Sequence, residues 1–169
     1  KDRSYRIYWV SMLEELKLSK HGYISFNTDS ENINWRQELS EKYTRLTAQM
    51  ITHIKRHLKV DRISMDDKLV PGYMSALLTN TTQDAMMKST WHIVSETVFW
   101  DNKLHLTEKI FKPIVFKQPF MLLGAPGNLK YLKQYGFKTF DGIIDESYDR
   151  VTDPYLRMQA VAKQLAWYC

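Results

Sequence analysis

A chain of 169 residues is long enough for one domain with a real core, and its 44% hydrophobic and 25% charged residues exclude a disordered or fibrous polymer. Its single cysteine, Cys169, is the last residue, which excludes an internal disulfide framework and a cysteine-built zinc site and fits a reducing compartment. A net charge of +5 suits an anionic partner, but the lysines are scattered, and no apolar run reaches the ~20 residues a membrane span needs.

In chain order, Arg3 to Leu18 reads as an amphipathic helix, with Tyr5, Tyr8, Trp9, Met12, Leu13 and Leu16 at helical spacing and Gly22 closing it or the turn after it. Tyr23-Ile24-Ser25-Phe26 reads as a short strand, and Asn27 to Asn34 as a polar loop. Leu39 to Leu58 reads as one long helix. Within it His53 and His57 have the i, i+4 spacing of two metal ligands on one helix face. No HExxH pattern accompanies them and no acidic third ligand is evident, so two ordinary histidines among lysines and arginines is the preferred reading. Asp61, Asp66 and Asp67 follow in VDRISMDDKLVPG, which does not match the D-x-D motif of metal-dependent donor binding. Val60 to Tyr73 is expected to be a loop or short strand with a turn at Pro71-Gly72. A helix is expected from Thr82 to Lys88, capped by Asn80, Thr81 or Thr82.

The stretch from Trp91 to Gly124, WHIVSETVFWDNKLHLTEKIFKPIVFKQPFMLLG, reads as strand, polar loop, short helix and second buried strand, the βαβ unit. Ligands of open parallel sheets sit at the carboxyl ends of strands, where helices begin. Glu96, Thr107, Glu108, Lys109 and Gly124 all fall on that edge. A helix start binds anions through unpaired N–H groups and a partial positive charge. Thr107 is a good N-cap, and Lys109 can reach a phosphate as a point charge. Glu108 would repel that phosphate and suits a pair of ribose hydroxyls instead. The same residues also make an ordinary capped helix with a solvated lysine. Phe99 and Trp100, in the loop before Thr107, either stack on a ligand ring or pack beneath the loop. Pro113 is expected to kink the helix or divide it in two.

Gly124-Ala125-Pro126-Gly127 makes the next turn, where glycine either lets backbone approach a ligand or only turns the chain. Asn128 caps a helix, Leu129 to Tyr135, closed by Gly136. Phe137 to Phe140 reads as a strand, and Asp145-Glu146-Ser147-Tyr148-Asp149 as an acidic loop, solvated or shaping the sugar or acceptor side. Asp153 caps a last helix from Pro154 to about Trp167, with Leu156, Ala160, Val161 and Leu165 facing the core. Strands alternating with helices predict one α/β domain over 1–169, a Rossmann-like layer sandwich with a mostly parallel sheet.

The series S-E-T…H-L-T-E-K-I-F…P-F-M-L-L-G resembles the donor-binding signature of the α1,3-fucosyltransferase family. There an apolar strand ends in F-E-N-S, a short loop leads to Y-I-T-E-K-L-W, and a helix leads to a strand of the pattern P-V-V-L-G. Thr97 stands where that family has Asn, His105 where it has Tyr, and Pro113 where it has Asn; the intervening loop is longer here. The resemblance implies that Glu108 holds the nucleotide ribose and Lys109 the donor phosphates, with Glu96 in the place of the family's F-E-N glutamate. More loosely, the whole chain is similar to glycosyltransferase-like proteins of bacteriophages and large marine viruses. These likenesses imply the nucleotide-sugar-binding half of a two-domain GT-B glycosyltransferase. Its donor substrate would be a nucleoside diphosphate sugar, a GDP-sugar first among them, without a metal. A glycan or other acceptor and a second GT-B domain supplying the general base are implied, no nucleic acid is, and the location would be the cytoplasm, that of an infected host cell for a viral protein. The start at Lys1 rather than Met fits an excised fragment. The alternative is a non-catalytic nucleotide-binding or assembly module of the same fold.

Overall fold

The computed structural model describes residues 4–27, 39–41, 43–59, 62–63 and 80–169, which fall into two compact units, one within 2–67 and one within 68–168. The polar loop after Asn27, the aspartates Asp61, Asp66 and Asp67, and the Pro71-Gly72 turn lie outside the described residues.

The first unit holds helices α1 (Tyr5–Glu15) and α2 (Ala48–His57) and the short antiparallel strands β1 (Phe26–Asn27) and β2 (Arg62–Ile63). Helix α1 buries Tyr5, Ile7, Tyr8, Trp9, Val10, Met12 and Leu13, so most of its circumference is core rather than a single stripe. It ends at Glu15, short of the expected Leu18, and Gly22 closes the 3-10 turn that follows it. Lys17 takes a left-handed conformation (φ 56°), the Leu18 N–H donates to the Leu13 carbonyl at 2.8 Å, and the Lys17 N–H donates to the Glu14 carbonyl at 3.1 Å. This is the Schellman closure with lysine at the position usually held by glycine. It turns Leu16 outward and returns Leu18 to the core. The single helix expected from Leu39 is divided: residues 39–41 are helical, and α2 starts anew at Ala48, where Thr47 is extended and its hydroxyl accepts the Met50 N–H at 3.2 Å. Met50 and Ile54 are its buried face.

The second unit runs α3 (Asn80–Lys88), β3 (His92–Ser95), α4 (Glu108–Val115), β4 (Phe120–Leu123), α5 (Asn128–Gln134), a 3-10 turn (Glu146–Arg150) and α6 (Pro154–Tyr168). Strands β3 and β4 pair in parallel, His92 opposite Phe120 through Ser95 opposite Leu123. Every residue of β4 is buried, as a strand covered on both faces requires. The unit is therefore mixed helix and strand, with a two-stranded parallel sheet among the described residues. The outward backbone N–H of Leu122 donates to the Tyr148 hydroxyl at 3.1 Å, so the 3-10 turn covers that side of β4.

Three expectations for this unit change. Phe137 to Phe140 is not a strand: the Phe140 N–H donates to Glu146 at 2.7 Å, and its carbonyl accepts from Ile143 and Ile144. Its backbone groups are thus engaged by a carboxylate and a turn, while Phe137 and Phe140 pack on Phe111 and Phe120. Helix α4 runs through Pro113 as one piece and stops soon after it, at a second lysine in the left-handed region, Lys117 (φ 54°). Helix α6 is capped as expected, with the Leu156 N–H donating to Asp153 at 2.8 Å, but its inner face carries Arg157, Met158, Val161 and Ala162. Leu156 is exposed, since the capping turn sets the first helical residue and hence the phase of the buried face. Among the described residues, no helix is long and apolar enough to cross a membrane.

Candidate functional site

The carboxyl ends of β3 and β4 bring together Glu96, Gly124 and the start of α4. Glu96 is fully buried, and its own N–H donates to the Leu123 carbonyl at 2.8 Å, the last rung of the sheet. One carboxylate oxygen accepts the Thr107 backbone N–H at 3.1 Å. The other accepts the Thr107 hydroxyl at 2.6 Å and the Thr97 N–H at 3.3 Å. A carboxylate can be buried at tolerable cost only with such a set of donors. Glu96 is therefore a loop contact, a latch that fixes the first turn of α4 to the sheet. Thr107 is the N-cap, but its hydroxyl hydrogen goes to Glu96, and it accepts the Lys109 N–H only at a long 3.4 Å.

Glu108 and Lys109 are the outward pair. Their side chains are 49% and 28% exposed and meet in an ion pair at 2.6 Å. The hydrogen bond from Lys109 holds the Glu108 carboxyl below its usual range, against the opposing effect of burial. Lys112, one turn further on, has its proton affinity lowered by burial, partly offset by Glu108. Gly124 is buried. A Cβ there would lie 2.7 Å from the Asn128 side-chain nitrogen and 3.6 Å from the Glu96 Cβ, so the glycine serves close packing within the protein. Asn128 in turn accepts the His105 N–H at 3.1 Å and so holds the loop that precedes α4.

The roles of three groups escaped sequence reasoning. Arg157 on α6 is 2% exposed and donates to the carbonyls of Gly124, Val151, Thr152 and Phe99 at 2.7–3.1 Å. Its guanidinium lies 4.6 Å over the Phe99 ring. Burial lowers its pKa to about 10 against the pull of Asp149 and Asp153. Phe99 thus packs under the loop, one of the two readings open for it. Asp149 is the second: both its oxygens accept from the start of α5, Leu129 N–H at 3.0 Å and Lys130 N–H at 3.2 Å. Burial raises its pKa while those N–H donors oppose the rise. The acidic loop is therefore solvated only in part. Its residues Asp145, Glu146 and Asp149 line, with Lys130 and Lys133, an open hollow of about 400 Å³ that none of Glu96, Thr107, Glu108, Lys109 or Gly124 reaches. Third is Glu15, which stands beside His53 and His57 and supplies the acidic neighbour not evident from the sequence.

Both helix starts at this sheet edge are thus served by a carboxylate from elsewhere in the unit, Glu96 at α4 and Asp149 at α5. The chemistry left facing outward is one carboxylate and one ammonium on the first turn of α4. No protein-family model matches the chain, and no curated protein or solved structure matches it either.

Proposed function

We propose that the second unit is the donor-binding part of a GT-B-type glycosyltransferase, with β3–α4–β4 as one repeat of a Rossmann-like, mostly parallel layer sandwich. The observation that supports this reading is the outward placement of Glu108 and Lys109 at the carboxyl end of β3, on a helix start made rigid by Glu96. Lys109 then meets the donor diphosphate, and Glu108 accepts from two ribose hydroxyls. Without ligand the two pair with each other. A partly exposed pair of this kind contributes about 0–1 kcal/mol, so a diphosphate displaces Glu108 at small cost. Because Thr107 is already engaged by Glu96, the phosphate is met by the lysine ammonium rather than by free first-turn amides. Catalysis would consist of stabilising the departing diphosphate, with the acceptor's general base supplied by a second domain. Further strands of the sandwich would lie beside β3, since Tyr148 occupies the outer side of β4.

A second reading is a non-catalytic nucleotide-binding or assembly module of the same fold. The saturation of the α4 start favours it, because few donors remain there to grip a phosphate. A thermal-shift panel of GDP, UDP, CMP and their sugars separates the readings. The donor-site reading expects stabilisation by one diphosphate, about 2.7 kcal/mol at a hundredfold excess over Kd. Lys109→Ala should abolish that response while changing the stability of the free protein by less than about 0.5 kcal/mol. Silence toward every nucleotide would end the donor-site reading.

A further inference from the structure

The pair of histidines on α2 gains a third member from α1. Glu15, His53 and His57 each offer a ligand atom, and these atoms all lie within 4.8 Å of one another. His53 Nε2 is 3.8 Å from one Glu15 oxygen, and His57 Nε2 is 3.7 Å from the other. Both distances are too long for hydrogen bonds. They are close to the spacing of two donors on one ion: two ligands each ~2.0–2.1 Å from zinc, at a tetrahedral angle, stand roughly 3.3–3.4 Å apart. Bringing all three onto one centre closes the widest separation, at most 4.8 Å, by up to about 1.4 Å.

His53 is the second observation. Its side chain is 17% exposed, and its Nε2 is buried without a hydrogen-bond partner among the described residues. A buried polar atom left unpaired is costly, and native proteins avoid it unless the atom has another use. The rings of Tyr8 and His53 meet edge to face, their centroids 5.1 Å apart.

We propose that Glu15, His53 and His57 form a site for a divalent transition metal, zinc by the chemistry of its ligands, with two imidazole nitrogens, one carboxylate oxygen and a fourth position for water. Imidazole selects zinc and its late transition-metal neighbours over magnesium and calcium, which demand oxygen shells. Bound there, the ion ties the end of α1 to α2, so metal affinity becomes stability of the first unit. The proposal stands apart from the nucleotide reading, and its test involves no nucleotide.

The full chain, in a Cys169→Ser background to remove the exposed thiol, is titrated with zinc against a chromophoric chelator, with cobalt(II) absorbance as a second readout. One equivalent should bind, cobalt should give the visible bands of a four-coordinate site, and Tm should rise with zinc but not with magnesium. Glu15→Gln and His57→Gln alter the more exposed ligands and leave His53 itself in place, and each should weaken zinc at least about tenfold. Far-UV circular dichroism checks that both variants keep their helices. Failure of the folded wild type to take up zinc, or uptake unchanged in both variants, overturns the proposal.

Discussion

Glu96 in the second unit and Glu15 in the first are both carboxylates beside a helix end, and they are used in opposite ways. Glu96 has no exposed surface, and its oxygens accept from the Thr107 backbone, the Thr107 hydroxyl and the Thr97 backbone. Glu15 is 45% exposed and faces two imidazole nitrogens at 3.7 and 3.8 Å, beyond hydrogen-bond reach. A carboxylate whose neighbours are N–H and O–H donors is a fastening. One whose neighbours are other potential ligands is placed to share an ion with them. The residue type is the same, and the neighbours decide the chemistry.

The sharpest way to break the comparison is to truncate both. Glu96→Ala leaves the half-buried Thr107 N–H and hydroxyl without their partner, and should destabilise the second unit by about 3 kcal/mol in denaturant unfolding. Glu15→Ala, without metal, should cost less than about 0.5 kcal/mol. Equal losses would show that the two sites do not differ as described.

The next largest effect sharpens it at the other end of β3. Burial, then the nearby Lys112 ammonium, lowers the pKa of His92 to about 4, with the Gln118 side chain opposing. The folded protein therefore holds fewer protons here than the unfolded chain between the unfolded value near 6.5 and that folded value. Stability present above about pH 6.5 is lost as pH falls toward 4, on the order of 2–3 kcal/mol. Thermal unfolding of the wild type and His92→Gln across pH 4 to 7 should show that slope in the first and its loss in the second.

A smaller effect tests how tightly the latch is packed. Gly124→Ala places a methyl 2.7 Å from Asn128 Nδ2, and the neighbour must give way; about 1–2 kcal/mol of destabilisation is expected in the same unfolding assay. A neutral outcome would mean that the floor beneath Glu96 is softer than its contacts imply.

The sequence made some of this readable. The apolar runs at His92 and Phe120 gave the two parallel strands, and Thr107 announced the start of α4, because strand period and capping chemistry are local signals. Glu96 fell on the correct edge, but a glutamate that latches a loop and one that holds a ligand are the same letter. Asp149 capping α5, Arg157 gathering four carbonyls and Glu15 joining two histidines depend on segments far apart in the chain. Periodicity carries no trace of them. Phe137 to Phe140 failed for the converse reason: its apolar letters suit a strand, yet Glu146 and a turn took the backbone groups that a ladder would need.

The Tyr148 phenol on the Leu122 amide has a consequence for association. Sheets recruit peptides and sister molecules by offering a row of unanswered amides, and here one of those offers is already answered from within. A strand-shaped visitor on that flank must first evict a buried aromatic ring. Any partner that joins this sheet by main-chain pairing is thereby steered to the opposite flank, and runaway stacking through β4 is discouraged without a charge or a proline to guard it.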